Sequence, residues 1–176
     1  MQYRRADVKG GTYFFTVNLA ERNKTLLVDR VNELRDAFKR VKTNHPFKMD
    51  AIVILPDHLH AIWTLPKNDS DFATRWGLIK ANFSRSIAKN ERINPSRTHK
   101  GERGIWQRRY WEHLIRDELD YQSHMDYVYY NPVKHGYVKN VIDWPYSSFH
   151  RDVEVGIYSA DWGESDDSDG LFGERR

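Results

Sequence analysis

The chain has no cysteine. Disulfide frameworks and thiolate metal sites are therefore excluded, and the absence suits a reducing cytosol. No apolar run approaches the ~20 residues that span a bilayer. The opening residues 1–9, from Met1 to Lys9, lack the apolar core of a signal peptide. No internal repeat or linker divides the 176 residues. One domain over 1–151 and an acidic tail over 152–176, partly disordered or docked on the domain, are expected.

Acidic side chains are also scarce, except at the end. Residues 1–151 carry 26 basic and 17 acidic side chains, a net +9, whereas eight acids face two arginines from Asp152 onward. A basic body rich in aromatic residues suits a nucleic-acid binder, with cations for phosphates and flat rings for unstacked bases. A charge-balanced solvated surface is the plainer alternative.

What is present is organised around Ile52–Trp63, where an apolar run breaks at Pro56-Asp57 and resumes as His58-Leu59-His60-Ala61-Ile62-Trp63. The Pro-Asp pair predicts a tight turn between two strands. Alternate side chains of a strand share a face, so His58 and His60 project together while Leu59 and Ala61 point away. Two imidazoles so placed can grip one divalent metal, or they are ordinary polar residues of a half-exposed strand.

Thr12–Leu19 reads as a buried strand after the flexible Gly10-Gly11. Helical spacing predicts a helix over 29–44 with Asp29 as its N-cap, and another over 71–90. Residues 91–103 read as a loop and 104–115 as a strand. Asp117 opens a third helix that Pro132 ends. On that helix His124, Tyr127 and Asn131 recur at i, i+3 and i+7, so a tyrosine and an amide four residues apart share one face. Tyr129 lies opposite, and angle alone leaves Tyr130 open. The order β-α-β-β-α-β-α predicts an α+β fold, a ferredoxin-like antiparallel sheet with helices packed on one face.

Three stretches in this order carry a family resemblance: residues 55–66 around His58-Leu59-His60, residues 104–113 from Gly104-Ile105-Trp106 to His113, and residues 126–136 around Tyr127 and Asn131-Pro132. Together they resemble the REP-associated tyrosine transposases, single-tyrosine members of the HUH endonuclease superfamily. The likeness extends through Asp143–Arg151 and back to Tyr3-Arg4-Arg5. It implies His58 and His60 as metal ligands, Tyr127 as the nucleophile, and Asn131 as the third ligand where many relatives carry the longer glutamine. It also implies Mg²⁺ or Mn²⁺ as cofactor. The activity implied is metal-dependent cleavage and rejoining of single-stranded DNA beside repetitive extragenic palindromes, hairpins flanked by a guide tetranucleotide, through a 5′-phosphotyrosine. The implied enzyme is cytoplasmic, at the nucleoid, and works as a monomer, with a dimer as the other arrangement. The alternatives are a silent palindrome-binding regulator and a phosphodiesterase using activated water.

Candidate DNA contacts are Arg4, Arg5, Gly10, Gly11, Arg75, Lys80, Arg85, Arg108 and Arg109, with Trp106, Tyr110 and Trp111 as stacking rings. The acidic tail is complementary in charge to a basic DNA groove. Deleting the residues after Trp162 is expected to tighten single-strand binding and to shift its salt dependence, measured by fluorescence anisotropy across a salt series.

Overall fold

Alternation makes Thr12–Asn18 (β1) an interior strand of a four-stranded sheet. Tyr13, Phe15 and Val17 enter one core, while Phe14 enters another on the opposite face. In the computed structural model, which describes residues 7–164, the chain continues through α1 (Leu26–Asp29), α2 (Val31–Asn44), β2 (Lys48–Ile54), β3 (His58–Thr64), α3 (Phe72–Ser86), α4 (Pro95–His99), β4 (Trp111–Leu114), α5 (Glu118–Lys134), a 3-10 turn (Val141–Asp143) and α6 (Phe149–Glu154). The strand order is β2-β3-β1-β4 and every neighbouring pair is antiparallel. That is the ferredoxin-like arrangement the element order predicts.

One expectation is corrected. The helices do not share one face. α2 and α3 pack on the face of Tyr13, Phe15, Leu59, Ala61 and Trp63. α5 and α6 cover the other face, against Phe14, Ala51, Val53 and Ile62. The reason is the burial of β3, in which every residue but Thr64 is buried. A strand buried on both sides, its histidines included, needs a cover on both sides. Its six buried positions do not show strict alternation, so one-sided packing leaves half of them wet.

The core between α2, α3 and the sheet is aromatic. Trp63 stacks on Trp76 with ring centroids 4.3 Å apart and on Phe47 at 4.1 Å. Arg75, expected on DNA, belongs to this region. It is 2% exposed. Its guanidinium donates to the carbonyls of His45, Asp71 and Pro46 and to Asp69. It therefore fastens the α2–β2 connection to α3, with four of its five N–H donors engaged inside the protein and almost no surface left for a phosphate. Trp106, expected to stack on bases, is likewise buried in this core, where it meets Phe83.

The local differences have local causes. The first helix is split at Arg30, and Asp29 ends α1, where its carboxylate accepts from the Thr25 hydroxyl instead of capping. α3 stops at Ser86, with Asp71 capping it through the Thr74 N–H. A short polar helix, α4, interrupts the expected loop because Pro95 follows an Asn94 cap. β4 keeps only four residues of its predicted length. α5 runs two residues past Pro132, which removes one backbone hydrogen bond close to the helix end. Gly136, at φ +75°, then ends the turn.

The chain beyond 151 enters the second core. Asp152 is buried against Tyr129, while Tyr158 and Trp162 pack on Phe149. Residues 1–6 and 165–176 lie outside the described residues, and Arg4 and Arg5 with them. No helix among the described residues is long and apolar enough to cross a membrane.

Truncating Trp63, which contacts four aromatic rings, is expected to leave a cavity. A Trp63→Ala variant should lose about 3–5 kcal/mol of unfolding free energy in urea titration.

Candidate active site

The histidines of β3 face the α5 side of the sheet, and their backbones are pinned by β1 on one side and β2 on the other. His58 pairs with Asn18, and His60 with Thr16 and Val53. The two rings lie 5.0 Å apart and nearly perpendicular. They are 4% and 2% exposed.

Each ring is oriented through Nδ1. His58 Nδ1–H donates to Asp57 Oδ1 at 2.7 Å, and Asp57 is held in turn by Arg22. His60 Nδ1 shares a 2.8 Å hydrogen bond with the Thr16 hydroxyl. With Nδ1 donating to Asp57, His58 presents Nε2 as a lone pair, and His60 does the same when its Nδ1–H donates to the Thr16 hydroxyl, the arrangement that orients metal-binding histidines.

Burial holds the His60 pKa well below its ordinary value, reinforced by the cationic charge that His58, His135 and Lys134 can bring. Burial also lowers His58, against the pull of Asp57. Both rings are therefore neutral near pH 7. Burial acts against the Asp57 carboxylate, yet Arg22 and His58 bring it below the usual range, so it remains an anion.

α5 supplies the other half. Tyr127 meets His60 edge-on, with ring centroids 5.1 Å apart, and Phe14 at 5.7 Å. One turn on, Asn131 is 1% exposed and donates through Nδ2 to the Tyr127 carbonyl. Its Oδ1 has no hydrogen-bond partner, and neither has His60 Nε2. Two buried polar atoms without a hydrogen bond of normal geometry, one on each half of the site, are costly unless a cation or a donor joins them. That donor set, two neutral imidazoles and an amide oxygen, fits a divalent ion.

The geometry separates the tyrosines of α5. Tyr121 donates to Asp50. Tyr129 is buried and donates to Asp152, and burial with that carboxylate pushes its pKa up. Tyr130, left open by helical angle, packs beside Trp162. Among the tyrosines of α5, only Tyr127 meets the histidine pair.

Several residues at this site carried no separate signal in the sequence. Arg22, Asp57 and Thr16 orient the histidines from three different segments. Lys134 places its ammonium 5.1 Å from the Tyr127 ring centre, and His135 brings a third imidazole 5.3 Å from His58. Lys134 follows Tyr127 and Asn131 at i+7 and i+3, so the helical spacing that joined those two could have found it.

The basic candidates divide by position. Gly10 and Gly11 lie at the far end of β1 from the histidines, five residues or roughly 16 Å from Thr16. There a Cβ on Gly11 would come within 2.9 Å of the Val8 carbonyl. Lys80 and Arg85 line a basic concavity on the α3 side, together with Lys89 and Arg97. Lys80 donates there to the Gln107 carbonyl and lies over Tyr110. Arg108 and Arg109 are exposed at the histidine end, where the Gln107 N–H bonds Asn18; Arg108 pairs with Glu102. Thr16 pairs with both His60 and Trp111. Trp111 therefore shares the histidine face about 10 Å from His60, two strand spacings away. It is 58% exposed.

Comparison with known proteins bears on this arrangement. A family model described as "Transposase IS200 like" matches residues 8–131. A Haemophilus influenzae protein that carries the REP-associated tyrosine transposase name is 54% identical over 166 residues, 94% of either chain. The REP-associated tyrosine transposase of Escherichia coli is 49% identical over 174 residues, covering 99% of this chain and 97% of that one. The solved structure of a REP-associated tyrosine transposase bound to a REP hairpin superposes with a TM-score of 0.84 at 48% identity. It covers 100% of this chain and 98% of the other.

The histidine shifts predict a pH effect on stability. His58 and His60 resist protonation when folded, whereas the unfolded chain binds those protons near pH 6.5. The stability they contribute is present above that pH and is lost as pH falls below it. Asp57, lowered from 3.8, stays ionised across this range. The urea midpoint of metal-free protein should fall between pH 7 and pH 5, and His60→Gln should flatten the decline.

Proposed function

The chain belongs to the REP-associated tyrosine transposases of the IS200-like transposase family, and we propose that it cuts and rejoins single-stranded DNA beside palindromic hairpins through a covalent 5′-phosphotyrosine. The observation that carries this reading is the approach of Tyr127 to His60, beside two buried polar atoms, His60 Nε2 and Asn131 Oδ1, that lack a hydrogen bond of normal geometry.

His58 Nε2, His60 Nε2 and Asn131 Oδ1 would hold a divalent ion, Mg²⁺ or Mn²⁺, the latter suited to imidazole. Such an ion would polarise the scissile phosphate and offset the charge that develops on its oxygens. The Tyr127 hydroxyl oxygen attacks the phosphorus and loses its proton. The bond from phosphorus to the 3′-oxygen breaks, and that oxygen leaves as a 3′-hydroxyl. The 5′-phosphate stays esterified to Tyr127. Attack by a second 3′-hydroxyl reverses these steps and frees the tyrosine, with no external energy source because the phosphodiester energy is conserved. Lys134, beside the Tyr127 ring, adds a cation where the phosphate anion docks.

Histidines and tyrosine come from one chain, which supports a monomeric enzyme. Trp111 and Arg109 extend the histidine face toward the sheet edge and support a path for single-stranded DNA across β1 onto β4. The hairpin stem is the partner for the basic concavity of Lys80, Arg85 and Lys89 on the α3 side.

With Mg²⁺ or Mn²⁺ and a single-stranded palindrome from its own genome, the wild-type protein should form an adduct stable on a denaturing gel. Tyr127→Phe should abolish that adduct while leaving hairpin binding within about twofold. Binding without any adduct from the wild type would make it a palindrome-binding regulator instead. Cleavage without an adduct, retained in the phenylalanine variant, would make it a water-using phosphodiesterase.

Trp111→Ala should weaken single-strand binding about tenfold, in line with ~1–3 kcal/mol per stacked base. Because the ring is exposed, its thermal midpoint should be unchanged; anisotropy and a melting curve read the two together.

A further inference from the structure

We propose a second metal site at His113, Asp120 and His124, of the zinc class, that ties β4 to the first turns of α5. The site is separate from the histidine pair of β3 and does not depend on the transposase reading.

His113 comes from β4, on the same sheet face as Phe14, with which it pairs. Asp120 and His124 are one turn apart on α5, so both reach down toward that strand. Each of the three offers one ligand atom, and these atoms lie within 4.8 Å of one another. His113 Nε2 is 2.9 Å from Asp120 Oδ2, and His124 Nδ1 is 3.1 Å from Asp120 Oδ1. The two imidazoles stack with centroids 4.6 Å apart and planes 15° from parallel.

In the structure these groups hydrogen-bond one another and the backbone: His113 Nε2 meets the Asp120 carboxylate, His124 Nδ1 lies 2.8 Å from the Asp120 carbonyl, and the Arg116 backbone N–H donates to Asp120 Oδ2. A dication would replace the side-chain bonds, each imidazole carrying its N–H on the other ring nitrogen so that a lone pair meets the ion. Two imidazole nitrogens and a carboxylate oxygen form a donor set for zinc-class ions rather than for Mg²⁺. Donors around a tetrahedral ion at ~2.1 Å sit roughly 3.4 Å apart, so small rotations of these side chains close the site. His113, Asp120 and His124 have side chains 26%, 11% and 24% exposed, which leaves an entry path and room for water in the remaining position. Arg116 Nε is 3.6 Å from Asp120 on a side chain 74% exposed, so it can swing away as the ion enters.

The ring of Phe14 separates the two metal candidates. It stands 4.8 Å from His124 on one side and 5.6 Å from His60 on the other. The proposed ion therefore does not share ligands with the catalytic pair. Its effect is positional. It fixes the opening turns of α5 on the sheet, one turn before Tyr127.

The test uses full-length, tag-free protein carrying His58→Ala and His60→Ala, stripped with chelator and titrated with Zn²⁺ in a calorimeter. One equivalent should still bind, Co²⁺ should give a visible d–d absorption band, and Tm should rise by about 5 °C or more at a hundredfold excess over Kd. Adding His113→Gln and His124→Gln should abolish the binding, the band and the rise. If that fourfold variant does not fold by circular dichroism, His124→Gln alone in the natural background should remove one equivalent relative to the natural protein. No Zn²⁺ uptake in the His58→Ala/His60→Ala protein overturns the proposal, as does uptake indifferent to residues 113 and 124.

Discussion

The site depends on the burial of β3 on both faces. Leu59, Ala61 and Trp63 are sealed by α2 and α3, while His58, His60 and Ile62 are sealed by the side that carries α5. A strand in the middle of the sheet, hydrogen-bonded on both edges, cannot shift its side chains without breaking two ladders. The two imidazoles are therefore fixed in direction by backbone pairing before any neighbour acts on them. Burial then keeps both neutral, which makes them ligands rather than cations.

Placing two histidines in such a strand is costly unless their polar atoms are matched. Three of the four contacts this needs come from outside β3: Asp57 in the turn, Arg22 behind it, and Thr16 on β1. The fourth is left open, because His60 Nε2 and Asn131 Oδ1 are buried without a hydrogen bond of normal geometry. Buried polar atoms left open in this way mark a place where binding energy is available to a cation. The same logic separates Tyr127 from its neighbours: Tyr121 and Tyr129 are satisfied by carboxylates, and burial together with those carboxylates opposes their ionisation.

The second core makes α5 rigid enough for this chemistry. Met125, Val128 and Tyr129 pack toward the sheet, with Phe149, Tyr158 and Trp162 closing behind them. The segment after residue 143, which shows no periodicity, thereby serves as a brace for the tyrosine helix. Asp152, which by sequence opens the acidic stretch, spends its charge inside that brace on Tyr129 and Arg151.

The sequence by itself determined the short-range geometry. Period-two alternation put His58 and His60 on one face, and helical spacing put Tyr127 and Asn131 on one face, because both follow from backbone repeat alone. The antiparallel ferredoxin-like order followed from the succession of elements. Only the tertiary structure decided that α5 covers the histidine face, since His58, His60 and Thr64 alternate with Leu59, Ala61 and Trp63 and so read as the polar side of a half-exposed strand, yet both histidines are buried. It also decided that Arg75 and Trp106 are structural, because a buried arginine reads the same as an exposed one until its carbonyl partners, thirty residues away, are brought to it. The meeting of Tyr127 with His60, 67 positions apart, belongs to that same class of fact: chain connectivity permits it, and packing of α5 on Phe14 and Ile62 brings it about.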